Sequence, residues 1–326
     1  MKQLIHSFEG IICVNNLLEA WEEFIIDKKY KKDVEIFSLN LMDNILLLHD
    51  DLLSLVFEHG GYEEFSISDP KPRIIHKASV RDRLVHHAIY RSLFFYFDKV
   101  FIVDSYSCRI NKGPYKAIKR FKSFFYKVSK NNHKSCWVLK GDIRKFFANI
   151  DQEVLIGILD ERILDKNIMW LLKEVIYSFH STRIGLGLPL GNLTSQLFAN
   201  IYMNGFDQYM KHELKVQYFI RYADDFVILS QNKKWLEEVL LKIREFLLIN
   251  LKLELHPNKV SIKTLTSGID FLGWVNFADH QVLRTATKNR MLRRLTSNPS
   301  DGTVNSYLGL LGHGNTRKIK EGYFGG

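Results

Sequence analysis

Two acidic residues stand between two apolar, aromatic-rich runs in the segment 217–230, and this pattern constrains the fold most strongly. Aromatic and β-branched residues favour strands, and the acids fall where a tight turn would join the two runs. The segment therefore predicts a β-hairpin with Asp224 and Asp225 at its tip. Two carboxylates in that position can bind a divalent metal ion, although Asp is also an ordinary turn residue.

A third carboxylate at the end of another strand would complete a metal site. Residues 136–142 predict a strand that ends at Asp142, and Asp151 is expected to cap the helix that follows. Three carboxylates are the minimum for holding two metal ions in phosphoryl transfer. Because carboxylate oxygens are hard ligands, we expect two Mg²⁺ ions, with Mn²⁺ able to substitute, and not zinc.

Composition limits the partners and the compartment. The 326 residues carry 46 Lys or Arg against 36 Asp or Glu, and the net charge of +10 favours a polyanionic partner such as nucleic acid or a membrane surface. The three widely spaced cysteines fit reduced thiols. The N-terminal residues do not resemble a signal peptide, and no apolar run is long enough to span a membrane. These features predict a cytoplasmic protein.

Spacing and capping signals predict the other elements. Short strands are expected at 62–67 and 73–76, and Ser79 is expected to cap a helix over 79–100. Further helices are predicted over 114–130, 192–212 and 233–248. A helix over 38–58 is predicted from apolar residues at helical spacing; these residues are Leu39, Met42, Leu46, Leu53, Val56 and Phe57.

The segment from Lys112 to Lys145 is strongly basic. It contains eleven Lys or Arg and one acid, Asp142, and aromatic residues are interleaved with this charge. Such a pattern suits a groove for a nucleic-acid backbone. The alternative is a solvated basic helix face whose aromatics pack in the core.

Six segments, in the expected order over roughly 60–275, together resemble the motifs of a reverse transcriptase. The resemblance covers the fingers motifs, the first palm aspartate, the template-and-nucleotide motif, the Tyr-Ala-Asp-Asp box, the last palm motif and the primer grip. The matching segments are 71–75 with 81–87, 141–147, 187–196, 222–225, 256–259 and 271–274.

Residues 187–204 are similar to the diversity-generating retroelement subfamily of phages and bacteria. Leu190-Gly191 and Ser195-Gln196 stand where most reverse transcriptases have Gln-Gly and Ser-Pro, and the tail 306–315 also resembles that subfamily. The resemblance implies copying of a template-repeat RNA into cDNA, error-prone at template adenines, for targeted gene diversification (mutagenic retrohoming). It also implies a small basic oligomeric accessory protein and a bacterial host cell, possibly with a phage-encoded gene.

The resemblance assigns roles to individual residues. Catalysis is assigned to Asp142, Asp224 and Asp225, with Lys259 protonating the pyrophosphate, and Ile143 adds a backbone carbonyl to the metal ligands. Nucleotide binding is assigned to a set in which Phe147 is the steric gate against a ribose 2′-hydroxyl; the set is Lys71, Arg73, Phe147, Leu190, Gly191 and Gln196. The primer grip is assigned to Tyr222, Phe271, Leu272, Gly273 and Trp274.

The expected fold is an α+β right-hand polymerase with fingers, an antiparallel palm sheet and a small helical thumb. We expect an N-terminal helical extension over 1–59, fingers over 60–135, a palm with inserted finger elements over 136–275, and a short basic thumb over 276–326. The expected function is RNA-directed DNA polymerisation with dNTPs, template RNA and a cDNA primer. The alternatives are a retron or abortive-infection type reverse transcriptase, or a non-catalytic nucleic-acid-binding scaffold.

Overall fold

The computed structural model describes residues 7–68, 72–297 and 299–324. The chain divides into two compact units that exchange segments along the sequence. We call Met1–Val103, Ile143–Tyr209 and Glu245–Glu254 the helical unit. We call Asp104–Asp142, Met210–Arg244 and Leu255–Gly326 the sheet unit.

The described chain combines helices with antiparallel sheets, which confirms the predicted α+β class. The helices are α1 Phe8–Ile12, α2 Val14–Phe24, α3 Lys32–Leu39, α4 Leu41–Leu53, α5 Val80–Asp98, α6 Pro114–Val128, α7 Phe146–Asn149, α8 Gln152–Asp160, α9 Lys166–Tyr177, α10 Leu193–Gln208, α11 Lys233–Leu251, α12 Thr285–Thr296, α13 Asp301–Leu311 and α14 Arg317–Phe324. The strands are β1 Tyr62–Ile67, β2 Arg73–Ala78, β3 Trp137–Asp142, β4 Phe219–Tyr222, β5 Asp225–Ser230, β6 Ser261–Thr264, β7 Ile269–Phe271, β8 Trp274–Asn276 and β9 Gln281–Leu283.

The helical unit is built around α5, which packs against α2 and α10. The predicted cap of α5 is confirmed, because the Ser79 hydroxyl accepts a hydrogen bond from the Asp82 backbone N–H. Strands β1 and β2 form the predicted hairpin, in which Tyr62 lies opposite Ala78. The predicted cap of α8 is also confirmed, since Asp151 accepts from the Val154 N–H.

The prediction of one helix over 38–58 is wrong in its bounds and in its buried face. The segment forms α3 and α4, which meet at Asn40. Leu39, Met42, Leu46, Leu53 and Val56 are exposed, and of the predicted set only Phe57 is buried. The buried residues of α4 are Ile45, Leu48 and Leu52. Because Ile45–Leu48 is an unbroken apolar run, its spacing does not single out one face.

The sheet unit holds a four-stranded antiparallel sheet in the order β4-β5-β3-β6. Helix α6 packs against β4 and β5. Its Phe121, Phe124 and Phe125 are buried in the core of this unit, at 1–5% exposure. The interleaved phenylalanines are therefore core residues and do not form a nucleic-acid surface, which corrects the aromatic half of that prediction.

A second, three-stranded sheet in the order β7-β8-β9 continues the sheet unit. Its Trp274 packs with Met291 of α12 and Leu311 of α13 in a separate core cluster. The glycine at 314 lies against this tryptophan so closely that a Cβ would come within 2.1 Å of the ring. In the part of the chain that the structure describes, no helix is long and apolar enough to cross a membrane.

Candidate active site

The acidic pair lies at the tip of a β-hairpin, as predicted. Tyr222 of β4 lies opposite Asp225 of β5, and Ala223 and Asp224 form the two-residue turn between them. Ala223 has a φ of +53°, the left-handed backbone conformation that such a turn requires. The turn places the two acids side by side at one end of the four-stranded sheet.

The third predicted acid lies beside this turn. In the antiparallel pairing of β3 with β5, Asp142 is directly opposite Asp225. Direct partners in an antiparallel pair have Cα atoms about 4.5–5.5 Å apart. Asp142 is 7% exposed, while Asp224 and Asp225 are half-buried. The register of the sheet thus brings all three predicted metal ligands to one edge.

Close approach of β5 to β3 depends on Gly141. A Cβ at this position would lie 2.2 Å from the ring of Phe226, which is its direct partner on β5. No side chain therefore fits here without displacing the ring. The glycine next to Asp142 keeps the two acid-bearing strands in register.

The surroundings of Asp225 disfavour its negative charge. The pKa of Asp225 is raised to about 6, chiefly by burial; the negative charges of Asp224 and Asp142 add to the rise, and Lys140 and Lys259 oppose it. Carboxylates that repel one another in a partly buried position are stabilised by a bound cation. Oxygen-only ligands of this kind fit a hard divalent ion.

Lys259 lies in the site and contacts Asp142 directly. Its Nζ is 2.9 Å from both carboxylate oxygens. The segment that carries it is held against β3, because the backbone N–H of His256 donates to the carbonyl of Asp142 at 2.7 Å. This lysine occupies the carboxylate that the metal would need. Among residues 7–68, 72–297 and 299–324, no group of three or more His, Cys, Asp or Glu is arranged to hold a metal ion.

Arg221 supports the acidic turn through side-chain hydrogen bonds, and the sequence analysis did not predict this role. Its side chain is fully buried, and its guanidinium donates to the Ala223 carbonyl at 3.0 Å and to the Ser105 hydroxyl at 3.1 Å. Its backbone also pairs with the segment around Ser105. The available signal was a positive charge inside an otherwise apolar strand, which is costly unless the charge has partners.

The predicted primer grip is a hairpin whose two large side chains face inward. Phe271 of β7 lies opposite Trp274 of β8, and Leu272 and Gly273 form the turn with φ values of +51° and +85°. Phe271 and Trp274 are buried, at 0% and 1% exposure. These two side chains pack in the core and are not available to a primer. In this hairpin a primer contact would have to come from the half-buried turn residues Leu272 and Gly273.

Tyr222, the remaining residue of the predicted grip, is also partly enclosed. Its ring packs against the core cluster of the sheet unit. Burial raises the pKa of Tyr222, and its side chain is hydrogen-bonded to Ser107. The structure thus fixes the orientation of this ring beside the acidic turn, and its contact with a primer end stays a prediction.

The predicted nucleotide-binding residues that the structure describes lie in the helical unit. The Leu190 carbonyl accepts a hydrogen bond from the His76 N–H of β2 at 3.0 Å, and β2 begins at the exposed Arg73. A Cβ on Gly191 would lie 2.8 Å from Ile75, so β2 and this loop touch. Lys71 lies outside the described residues.

Phe147, the predicted steric gate, is linked by a backbone hydrogen bond to the loop that carries Leu190 and Gly191. The Phe147 carbonyl accepts a hydrogen bond from the Leu188 N–H at 2.8 Å. Phe147 is half-buried, while its neighbour Phe146 is a core residue with 3% exposure. Ile143 is buried, and Gln196 is half-buried near the start of α10. The roles of Phe147, Ile143 and Gln196 stay predictions.

A sheet edge that carries three carboxylates is what the resemblance to a right-hand polymerase predicts for the palm. The chain has the same fold as a telomerase from Candida albicans in complex with a fragment of telomeric RNA, with a TM-score of 0.52 at 14% identity over 74% of this chain and 50% of that one. A family model described as "Reverse transcriptase (RNA-dependent DNA polymerase)" matches residues 66–275. The chain belongs to the reverse transcriptase family, whose model is that of an RNA-dependent DNA polymerase.

The curated proteins that are similar to the chain include one from Escherichia coli and one from Lactococcus lactis. Protein YkfC of Escherichia coli (strain K12) is 26% identical over 300 residues, which cover 79% of this chain and 76% of that protein. The group II intron-encoded protein LtrA of Lactococcus lactis subsp. cremoris is 24% identical over 281 residues, which cover 64% of this chain and 44% of LtrA. The chain therefore spans less than half of the intron-encoded relative.

Proposed function

We propose that this chain catalyses metal-dependent addition of dNMP units to a primer 3′ end on an RNA template, with Asp142, Asp224 and Asp225 as the metal ligands. The observation that supports this most is the strand register that sets Asp142 opposite Asp225, next to Asp224. Membership of the reverse transcriptase family supports the RNA template and the dNTP substrates.

Divalent ions, with Mg²⁺ as the proposed species, would be held by these three carboxylates and by the Ile143 carbonyl. Bound there, they would stabilise the charge on the transferring phosphoryl group and lower the pKa of the primer hydroxyl. The pKa of Asp225, raised to about 6 chiefly by burial, supports the assignment because a bound cation would offset the cost of its buried charge.

The protein side chains contribute binding, exclusion and proton transfer. Arg73, together with Lys71 two positions earlier in the sequence, would bind the triphosphate, and Phe147 would exclude a ribose 2′-hydroxyl. Lys259 would leave Asp142 and donate a proton to the departing pyrophosphate. We assign the fingers to 60–135, the palm to 136–275 and the thumb to 276–326, with 1–59 as an N-terminal extension.

Primer extension with purified protein tests this proposal. An RNA template with an annealed DNA primer, dNTPs and Mg²⁺ should give extended primer, and rNTPs should be used poorly. Phe147→Ala should restore the use of rNTPs. Loss of all extension when EDTA removes the metal, and its return on adding Mg²⁺ or Mn²⁺, is expected. A wild-type protein that never extends the primer would support the non-catalytic scaffold.

Error-prone copying of adenines for gene diversification is the more specific function that we propose. It is supported by Leu190, which replaces a Gln in the predicted base-pair pocket and cannot donate the hydrogen bonds that a Gln would. The similarity to YkfC and LtrA does not extend to this subfamily, and the small basic accessory protein belongs to the same proposal.

Substitution of Leu190 tests that specific function. Leu190→Gln should lower misincorporation opposite template adenine in single-nucleotide extension, while Leu190→Met, which adds no donor, should not. An unchanged adenine error rate in Leu190→Gln would leave polymerase activity as the supported function and would favour an intron-type or retron-type enzyme.

A further inference from the structure

A small cavity lies at the end of the four-stranded sheet opposite the three acids. It has a volume of about 380 Å³ and is lined by residues from the end of α6, the segment before β4, the end of β5 and the start of α11. We call it the lysine pocket and define it by Lys127, Lys130, Lys215, Tyr218 and Trp235. All five belong to the sheet unit.

The lysine pocket carries three positive charges that no acidic lining residue neutralises. Lys127, Lys130 and Lys215 are exposed. In the described part of the chain none of the three forms an ion pair, and no acid lines the pocket. Lys130 and Lys215 also hold left-handed backbone conformations, with φ values of +50° and +52°. Clustered lysines without acidic partners are a site for a polyanion.

Aromatic rings and a helix start add to the charge. Tyr218 and Trp235 are both half-buried, and the ring of Tyr218 is held edge-on against Phe124 at 5.2 Å between centroids. Trp235 lies in the first turn of α11, where its backbone N–H donates to the Asn232 side-chain oxygen at 3.1 Å. The start of a 19-residue helix adds partial positive charge next to the lysines.

The lysine pocket is separate from the candidate active site. Strand β5 runs from Asp225 at the acidic edge to Ser230 at the pocket. Five steps along a strand span about 17 Å. A ligand in the pocket therefore does not contact the three carboxylates directly.

We propose that the lysine pocket binds an unpaired nucleotide of a single-stranded nucleic acid, with its base against Trp235 and Tyr218 and the flanking phosphates at the three lysines. The volume suits one nucleotide. Only an unpaired base presents a free face for stacking, so a duplex does not fit. This second site goes beyond the proposed polymerase function and would hold the strand away from the catalytic carboxylates.

Fluorescence anisotropy with a labelled single-stranded 12-nucleotide RNA tests the proposal. The full chain is first saturated with an unlabelled, chain-terminated hairpin primer–template, so that the labelled strand reports on a second site. One variant is Lys127→Gln/Lys130→Gln/Lys215→Gln. Its control neutralises three exposed helical lysines without ion pairs, Lys166→Gln/Lys173→Gln/Lys242→Gln. Thermal melting confirms that every variant is folded.

The pocket variant should change the salt dependence of binding. Each lysine–phosphate contact with a single strand adds about 0.7 to the slope of log affinity against log salt, so losing three should reduce the slope by about 2. The advantage of wild type over the variant should then shrink about 20-fold between 50 and 200 mM salt. The control triple variant should bind like wild type.

Trp235 separates stacking from charge. Trp235→Leu should weaken binding about 5- to 100-fold without changing the salt slope, and Trp235→Phe should recover most of the loss. DNA of the same sequence distinguishes the source of the strand: weaker binding of DNA assigns the site to RNA, and equal binding assigns it to either strand.

Three results would overturn the proposal. Equal losses in the pocket and control triple variants would mean non-specific charge attraction. An unchanged affinity in Trp235→Leu, or displacement of the RNA by tripolyphosphate at equal phosphate concentration, would mean that no base enters the pocket. Extension of a short primer–template should be unaffected in all variants, so failure of the polymerase proposal and failure of this one give different results.

Discussion

Lys259→Met should tighten divalent-ion binding and slow nucleotide addition at the same time. The Lys259 Nζ lies 2.9 Å from both oxygens of Asp142, so the ammonium and the metal compete for one carboxylate. At this distance the Coulomb attraction is about 6 kcal/mol for an effective dielectric constant of about 20. Because 42% of the lysine side chain is exposed, solvent screening reduces the net value to about 1–2 kcal/mol.

That net value predicts about 5- to 30-fold tighter binding of Mn²⁺ to the methionine variant, measured from the electron paramagnetic resonance of the free ion. The rate of single-nucleotide addition should fall about 10²-fold or more, since the proton donor is gone. Lys259→Arg separates the two effects, because arginine keeps the charge but does not release its proton. Looser Mn²⁺ binding in Lys259→Met, or a wild-type rate in Lys259→Arg, would refute the reasoning.

Three further predictions concern stability. Arg221→Met should lower the free energy of unfolding by about 2–4 kcal/mol in denaturant titrations, because buried carbonyl and hydroxyl partners lose their donor; an unchanged midpoint would contradict this. Gly141→Ala should lower the free energy of unfolding by about 1–3 kcal/mol, because the new Cβ clashes with Phe226. The control Gly157→Ala, whose Cβ meets no atom within 4 Å, should leave this free energy unchanged or raise it slightly. Equal effects of the two substitutions would contradict the role given to Gly141. Burial lowers the pKa of His87 to about 4, so the unfolded chain binds the proton more strongly than the folded one. The free energy of unfolding should therefore fall by up to about 3 kcal/mol as the pH drops from about 6.5 to 4. His87→Leu should flatten the corresponding fall in melting temperature, and parallel curves of melting temperature against pH for wild type and variant would exclude this role of His87.

Local signals in the sequence predicted the local structure well. The hairpin at Asp224 and Asp225 follows from two apolar runs and a turn, and the caps at Ser79 and Asp151 follow from single polar residues before apolar periodicity. These features depend on neighbours within a few residues of each other. Such neighbours act in the same way in every fold.

Non-local structure was not predictable from the sequence. The pairing of Asp142 with Asp225 depends on strands far apart in the chain, and only the motif resemblance suggested that they meet. The ion pair of Lys259 with Asp142 and the burial of Arg221 arise from the same tertiary packing.

The two errors have different causes. Ile45–Leu48 is apolar over more than one helix face, so its tertiary partners decided which residues became buried. The buried phenylalanines of α6 fall on a single apolar face at helical spacing, a pattern that already favoured the core alternative.

The most direct test of the three-carboxylate centre is single-turnover primer extension by Asp142→Asn, Asp224→Asn and Asp225→Asn. Each variant keeps the size of the side chain and removes one ligand charge. Asp279→Asn, at an exposed acid of the same unit, is the matched control. We predict a loss of about 10³-fold or more in each of the three variants and a wild-type rate in the control. A rate within tenfold of wild type in any of the three, in a folded protein, would contradict the assignment.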